Sequence, residues 1–267
     1  MSSVTKGGNV GEMRRASGRF SGKRLVTISR RVLLQLRHDR LFLALSLLAP
    51  VIMVLFLKVF FDSMKGPGFV VSHFIVPMGA FLIHFFTYIL CAIALVRERA
   101  HETLSRMFVN GFRRGEIILG FLLAYSLLAT LQSLIVLALL GWLFELSYVF
   151  EIYASIYLVI WLLAVISVAL GIFLSNFAHS EAQMIPTIPL VILPSVFLSG
   201  IIVAVDKLPD WVQPISRISP LYYANNALQK LILPNGSLGD DWASLLGLLA
   251  YGLIVLMLGS VTLKERD

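Results

Sequence analysis

Six stretches of this chain are each long and apolar enough to cross a lipid bilayer. They fall at about 41–61, 72–96, 117–144, 152–175, 183–205 and 243–263. A hydrocarbon core of roughly 30 Å takes about 20 helical residues, and each stretch meets that length. None shows the alternation of a membrane barrel strand. Composition agrees: 58% of the 267 residues are hydrophobic, 14% are charged, and mean hydropathy is +0.87. A soluble domain carries about 25% charged residues. A water-soluble enzyme and a disordered chain are therefore excluded. The expected fold is an all-α integral membrane protein with six transmembrane helices.

The charge distribution sets the expected orientation. Ten of the 22 Lys and Arg lie in residues 1–40, five in 97–116 and two after 263, so seventeen flank one side of the spans. Lys65, Lys207, Arg217 and Lys230 make four on the other side. Lys58, inside the first span, can snorkel outward. Lys and Arg in short loops mark the cytoplasmic face. Both termini are expected there, in a multi-pass protein of the cell membrane. The basic excess serves orientation, so no nucleic-acid partner is expected, and membrane lipid is.

The chain divides into a flexible basic tail (1–21), an amphipathic interfacial helix (22–40) and a six-span domain (41–267). Leu25, Ile28, Val32 and Leu36 recur at helical spacing, with most basic residues of 23–38 on other faces. One reading is a membrane-surface anchor, and the other adds contact with a cytoplasmic partner. A retained first span is expected rather than a cleaved leader, because Pro50 interrupts the apolar run and no small-residue cleavage site follows.

In the 97–116 loop, Leu104, Met107 and Phe108 form a short apolar face. Glu98, Glu102 and Arg106 are spaced for one helical stripe, and Asn110-Gly111 should end the helix. The fifth span holds Pro186, Pro189 and Pro194, then Phe197, Ser199 and Gly200. Broken helices at membrane depth need protein or a water cavity around them. A re-entrant or gating element is expected at this exit, with packing irregularity as the alternative. Short outer helices should follow, one near 210–215 and one capped by Ser219 with Pro220 at its first position, running to about Leu233. Ser126, Thr130 and Ser133, with Gln132 beside them, either line a substrate path or hydrogen-bond between helices.

Catalytic equipment is missing from the pattern. No phosphate-binding loop of the G-x-x-x-x-G-K-[ST] type occurs. The lone Cys91 forms no intrachain disulfide and no cysteine metal site. His73 and His84, eleven residues apart on one helix, are about 16 Å apart and cannot share a metal. Neither catalytic nor metal-ligating residues are expected.

Two stretches carry a family resemblance. One is Arg97-Glu98-Arg99, then Glu102-Thr103-Leu104, then Gly115-Glu116-Ile117-Ile118-Leu119-Gly120. The other is Phe197-Leu198-Ser199-Gly200, then Leu208-Pro209-Asp210-Trp211, then Ser219-Pro220-Leu221-Tyr222-Tyr223. In this order they resemble the permease subunits of ABC-2-type exporters. The chain departs from that pattern at Glu102, where the family often has Gly, and at Asn110-Gly111, where it often has Pro.

The resemblance implies an export permease for a hydrophobic or amphipathic compound such as a drug, antibiotic or lipid-like molecule. It implies two copies of a separate cytoplasmic ATPase, which hold ATP and Mg2+, and a second permease copy or a similar permease. This chain then binds no cofactor itself and is not an enzyme. It further implies ATPase coupling through Glu98, Glu102, Thr103, Leu104, Met107 and Phe108. The expected substrate path or gate uses Ser126, Thr130, Ser133, Pro194, Phe197, Ser199 and Gly200. Export of a polysaccharide or lipid-linked glycan is the alternative cargo. An intramembrane lipid-modifying enzyme and a scaffold or sensor subunit are alternatives of another class.

Overall fold

The computed structural model describes residues 21–63, 72–233 and 236–263, with helices and no strand among them. The expected tail at 1–21 lies almost wholly outside the described residues. Ten α-helices follow in order: α1 (Gly22–His38), α2 (Arg40–Ser63), α3 (Ser72–Ala100), α4 (Thr103–Val109), α5 (Arg114–Leu143), α6 (Phe150–Ser175), α7 (Glu181–Leu198), α8 (Gln213–Ser216), α9 (Pro220–Ile232) and α10 (Trp242–Thr262). Six of them, α2, α3, α5, α6, α7 and α10, are long and apolar enough to cross a membrane. The chain is an all-α, multi-pass membrane protein.

α3 and α6 form the centre, and they approach closely because of one residue. A Cβ on Gly171 of α6 would stand 2.7 Å from the Tyr88 carbonyl oxygen of α3. Backbone contact of this kind is how membrane helices associate when lipid is as apolar as Leu. α5 lies against both, α10 lies on α6, and α2 and α7 lie at the edge. α2, α7 and α10 leave Phe56, Leu190 and Met257 exposed. In a bilayer these side chains meet hydrocarbon or another helix.

Polar groups inside the spans bond to each other. Gln132 of α5 donates to the Ser46 carbonyl of α2 at 2.7 Å and accepts from Thr87 of α3 at 3.3 Å. His84 Nδ1 of α3 lies 2.7 Å from Ser167 Oγ of α6. That hydroxyl donates to the Leu163 carbonyl at 2.6 Å, so the imidazole Nδ1 carries the proton. Lys58 pairs with Asp62 one turn on, at 3.0 Å.

The expected fifth span to 205 is corrected: α7 ends at Leu198. The apolar sequence continues through Ile201, Ile202 and Val203, but Gly200 takes φ 84 and turns the chain out of the helix. This is a left-handed position where only glycine is unstrained. The helix from Pro220 is present, but its expected cap is not. Ser219 makes no capping bond, and its hydroxyl instead faces the Ser195 carbonyl at 3.5 Å. Of the helix expected at 210–215 only 213–215 is helical, as part of α8, which runs one residue further.

Candidate functional site

The last turn of α3 reads Arg97-Glu98-Arg99. Successive residues on a helix point about 100° apart, so these three reach in three directions. Arg97 forms a two-pronged pair with Glu181, at the start of α7, at 3.0 and 3.3 Å. It also lies 3.6 Å from Asp39. Asp39 separates α1 from α2 and accepts from the Phe42 N–H at 3.0 Å, capping α2.

Glu98 turns to α1, accepting from Arg31 at 3.0 Å and Gln35 at 2.9 Å. Arg99 turns to the end of α6. It donates to the Ser175 carbonyl, to the Ala178 carbonyl at 3.1 Å and to Asn176 Oδ1 at 2.8 Å. A cation at a helix C-terminus meets its unpaired carbonyls and its negative pole. Asn176 in turn donates to Gly259 and Thr262 of α10, at 3.1 and 2.9 Å. One turn thus fastens α1, the start of α2, α6 and α7, and through Asn176 also α10.

α1 is fastened a second time. Its Ile28, Val32 and Leu36 are buried in the core. The helix lies against α5, and Ser29 donates to the Gly120 carbonyl of α5 at 3.1 Å. The face formed by Ile28, Val32 and Leu36 meets protein. At its start, Glu116 of α5 is fully buried. One carboxylate oxygen accepts from the Arg113 N–H at 3.0 Å and the other from the Ser21 N–H at 2.8 Å. Arg24 lies 3.9 Å away and donates to the Gly111 carbonyl at 2.7 Å. A carboxylate at a helix N-terminus is electrostatically favoured, and bonds to it are charge-assisted.

The short helix α4 does not continue α3. Glu102 stands between them at φ 56, a region that glycine adopts without strain. The expected single stripe of Glu98, Glu102 and Arg106 is therefore corrected: the helix breaks before Glu102, and Glu98 is taken up by α1. Leu104 and Met107 are 3% and 5% exposed and face the bundle. Thr103 and Phe108 are half-buried. The outward edge of α4 is Glu102, Ser105, Arg106 and Val109, the last 89% exposed. A partner meeting α4 would touch this edge before Leu104 or Met107. Between α1, α3 and α5 lies a cavity of about 310 Å³ with Phe121 and Tyr125 on one wall.

The other expected residues lie elsewhere. Thr130 accepts from Trp161 of α6 at 2.9 Å and donates to the Ser126 carbonyl at 2.7 Å. Ser133 bonds to the Thr130 carbonyl at 3.0 Å. Pro194 and Phe197 face outward from α7. Ser199 is buried, and its carbonyl accepts from Asn225 of α9 at 2.9 Å. The expected path residues therefore divide between the middle of α5 and the end of α7, while the expected coupling residues lie at the opposite end of the bundle from Ser199 and Gly200. Glu116 was missed as a site residue; Arg113 is not a capping residue type, and the second donor, Ser21, is distant in sequence.

The sequence profile of the ABC-2 type transporter family matches residues 23–233. The match runs from α1 through α9 and includes both ends of α3. The chain belongs to the ABC-2 type transporter family. Among curated proteins, this ABC-2 chain is 25% identical over 185 residues to the probable multidrug ABC transporter permease YbhR of Escherichia coli, covering 69% of this chain and 50% of that one. It is 25% identical over 178 residues to ABC transporter G family member 20 of Dictyostelium discoideum, covering 66% and 24%. Probable multidrug permease YbhS of Escherichia coli is 24% identical over 172 residues, covering 63% and 45%. The chain spans about half the length of the permeases it matches, or less.

Proposed function

We propose that this ABC-2 chain is the permease subunit of an ATP-driven exporter in the cell membrane. It moves a hydrophobic or amphipathic compound outward, and a separate ATPase subunit supplies the energy. Both termini face the cytoplasm, so the end carrying α1 and α4 is the cytoplasmic end. Seventeen Lys and Arg on that side against four on the other support the orientation. The names of the bacterial relatives support a multidrug-type cargo. Two permeases and two ATPases complete the assembly, with ATP and Mg2+ on the ATPases.

The observation that carries the reading is the Arg97-Glu98-Arg99 turn. A push on α1 or α4 reaches α3 directly, and from there α6, α7 and α10. The Arg31–Glu98 and Arg97–Glu181 pairs are ionic and partly exposed, so they can be remade at modest cost. The ATPase seats on the outward edge of α4, at Glu102, Arg106 and Val109. Leu104, Met107 and Phe108 hold α4 on the bundle and transmit rather than touch.

Site-directed crosslinking tests this in a chain whose Cys91 is replaced. Cysteine at Val109 is expected to crosslink to the ATPase, and cysteine at Leu104 is not. Crosslinking from α1 alone, with none from Val109 or Arg106, removes α4 from the coupling role.

A further inference from the structure

The outward side of α1 carries a pattern of its own, distinct from the face that packs on α5. Ile28, Val32 and Leu36 are buried, and the opposite side holds Lys23, Arg30 and Arg37, all exposed. Seven residues make nearly two turns. The three cations therefore lie within about 40° of one another around the axis and about 10 Å apart along it. Val26, 62% exposed, and Leu34, 42% exposed, stand between them on the same side. Cation and apolar side chain thus alternate along a ridge of about 20 Å.

The basic residues of α1 divide by what they face. Arg24 and Arg31, on the inner flank, lie against Glu116 and Glu98. Lys23, Arg30 and Arg37 have no carboxylate partner among the described residues. α1 contains no Asp or Glu that could balance them. The uncompensated charge suits an anionic partner, and two observations favour a lipid surface over a protein. Exposed Val and Leu set between cations fit the boundary of head groups and acyl chains, where basic amphipathic helices lie. The ridge also adjoins hydrocarbon. Asp39 alone separates α1 from the spanning α2, whose Leu41, Leu45 and Leu48 are exposed. The end of α1 therefore stands at head-group depth.

We propose that the outward ridge of α1 binds the head-group phosphates of anionic phospholipids, with Val26 and Leu34 set against the upper acyl chains. The face that periodicity marks for the membrane is taken by α5, so lipid is met by the opposite one. The site depends neither on an ATPase nor on the direction of transport.

Native mass spectrometry of the full chain in neutral detergent tests the proposal, with phosphatidylglycerol and phosphatidylcholine as probes. Each exposed cation near an anionic surface strengthens binding about fivefold. The chain is expected to hold phosphatidylglycerol at least about fivefold more tightly than phosphatidylcholine. Lys23→Gln, Arg30→Gln and Arg37→Gln together should abolish that preference with the melting temperature unchanged. Arg30→Lys with Arg37→Lys should keep it, because the charge is kept. Arg106→Gln with Arg114→Gln, exposed at the same end but off the ridge, should keep it too. Val26→Gln with Leu34→Gln should weaken phosphatidylglycerol binding several-fold.

Equal affinity for the two lipids overturns the proposal. So does a preference that survives the triple glutamine variant. If that variant keeps the lipid preference and loses the ATPase, the ridge is a protein contact instead. Displacement of phosphatidylglycerol by an equal concentration of inorganic phosphate also overturns it, since the site would then hold a free anion.

Discussion

The two ends of α3 are secured by different physics. At the basic end, three consecutive charged residues reach α1 and α7 through ion pairs, the one to α7 open to water, and α6 through an arginine on neutral oxygens. At the far end the neighbouring elements are joined by amide-to-carbonyl bonds, Asn225 to Ser199 and Gln229 to His73, around a left-handed glycine. Exposed ion pairs each contribute little and are screened by salt. Neutral bonds in a buried turn are insensitive to salt and fixed in geometry. The difference suits an end that is pushed and an end that holds its shape.

The largest expected effect is at Glu116, the one fully buried charge among the described residues of the basic end. Glu116→Ala leaves the Ser21 and Arg113 N–H groups without their acceptor. A loss of about 1–3 kcal/mol is expected, the size typical of hydrogen bonds to a charged group. Thermal melting of the purified protein measures it. A silent Glu116→Ala would mean that α1 is held by apolar contact alone.

At the far end, Gly200→Val forces a branched residue to φ 84 and toward Asn225 and Val205. The left-handed conformation alone costs about 1–2 kcal/mol. The loss should be the same at low and high salt. The smallest expected effect is Arg97→Ala. Its pair with Glu181 is about half exposed, so the loss is about 1 kcal/mol or less. That loss should shrink further as salt rises through about 1 M, where the screening length falls to about 3 Å. A salt-sensitive Gly200→Val beside a salt-insensitive Arg97→Ala would invert the contrast between the ends.

How far the sequence revealed this arrangement follows from the range of the forces involved. The six spans were legible because hydropathy is local and dominates their stability. The end of α7 was not: Ile201 to Val203 prolong the apolar run, and a backbone angle at Gly200 decides where it stops. The apolar face of α4 was visible in Leu104 and Met107. Whether it looked toward the bundle or a partner was not, because that depends on the break at Glu102, a non-glycine residue at positive φ. Arg97, Glu98 and Arg99 stood out as a family motif. Their partners Arg31, Asn176 and Glu181 lie far along the chain, and pattern alone does not pair them.

Coupling through the α3 turn is the central claim, and a distance measurement in the assembled transporter tests it. Spin labels at Val109 and Lys207, in a chain without Cys91, report the two ends separately against a fixed label on the neighbouring permease. ATP binding is expected to shift both distances in the unmodified turn. With Arg97→Ala and Glu98→Ala together, the shift at Val109 should persist while the shift at Lys207 is lost, with the ATPase still bound. An undiminished shift at Lys207 in that variant would contradict the account, because motion would then be reaching the far end by another route.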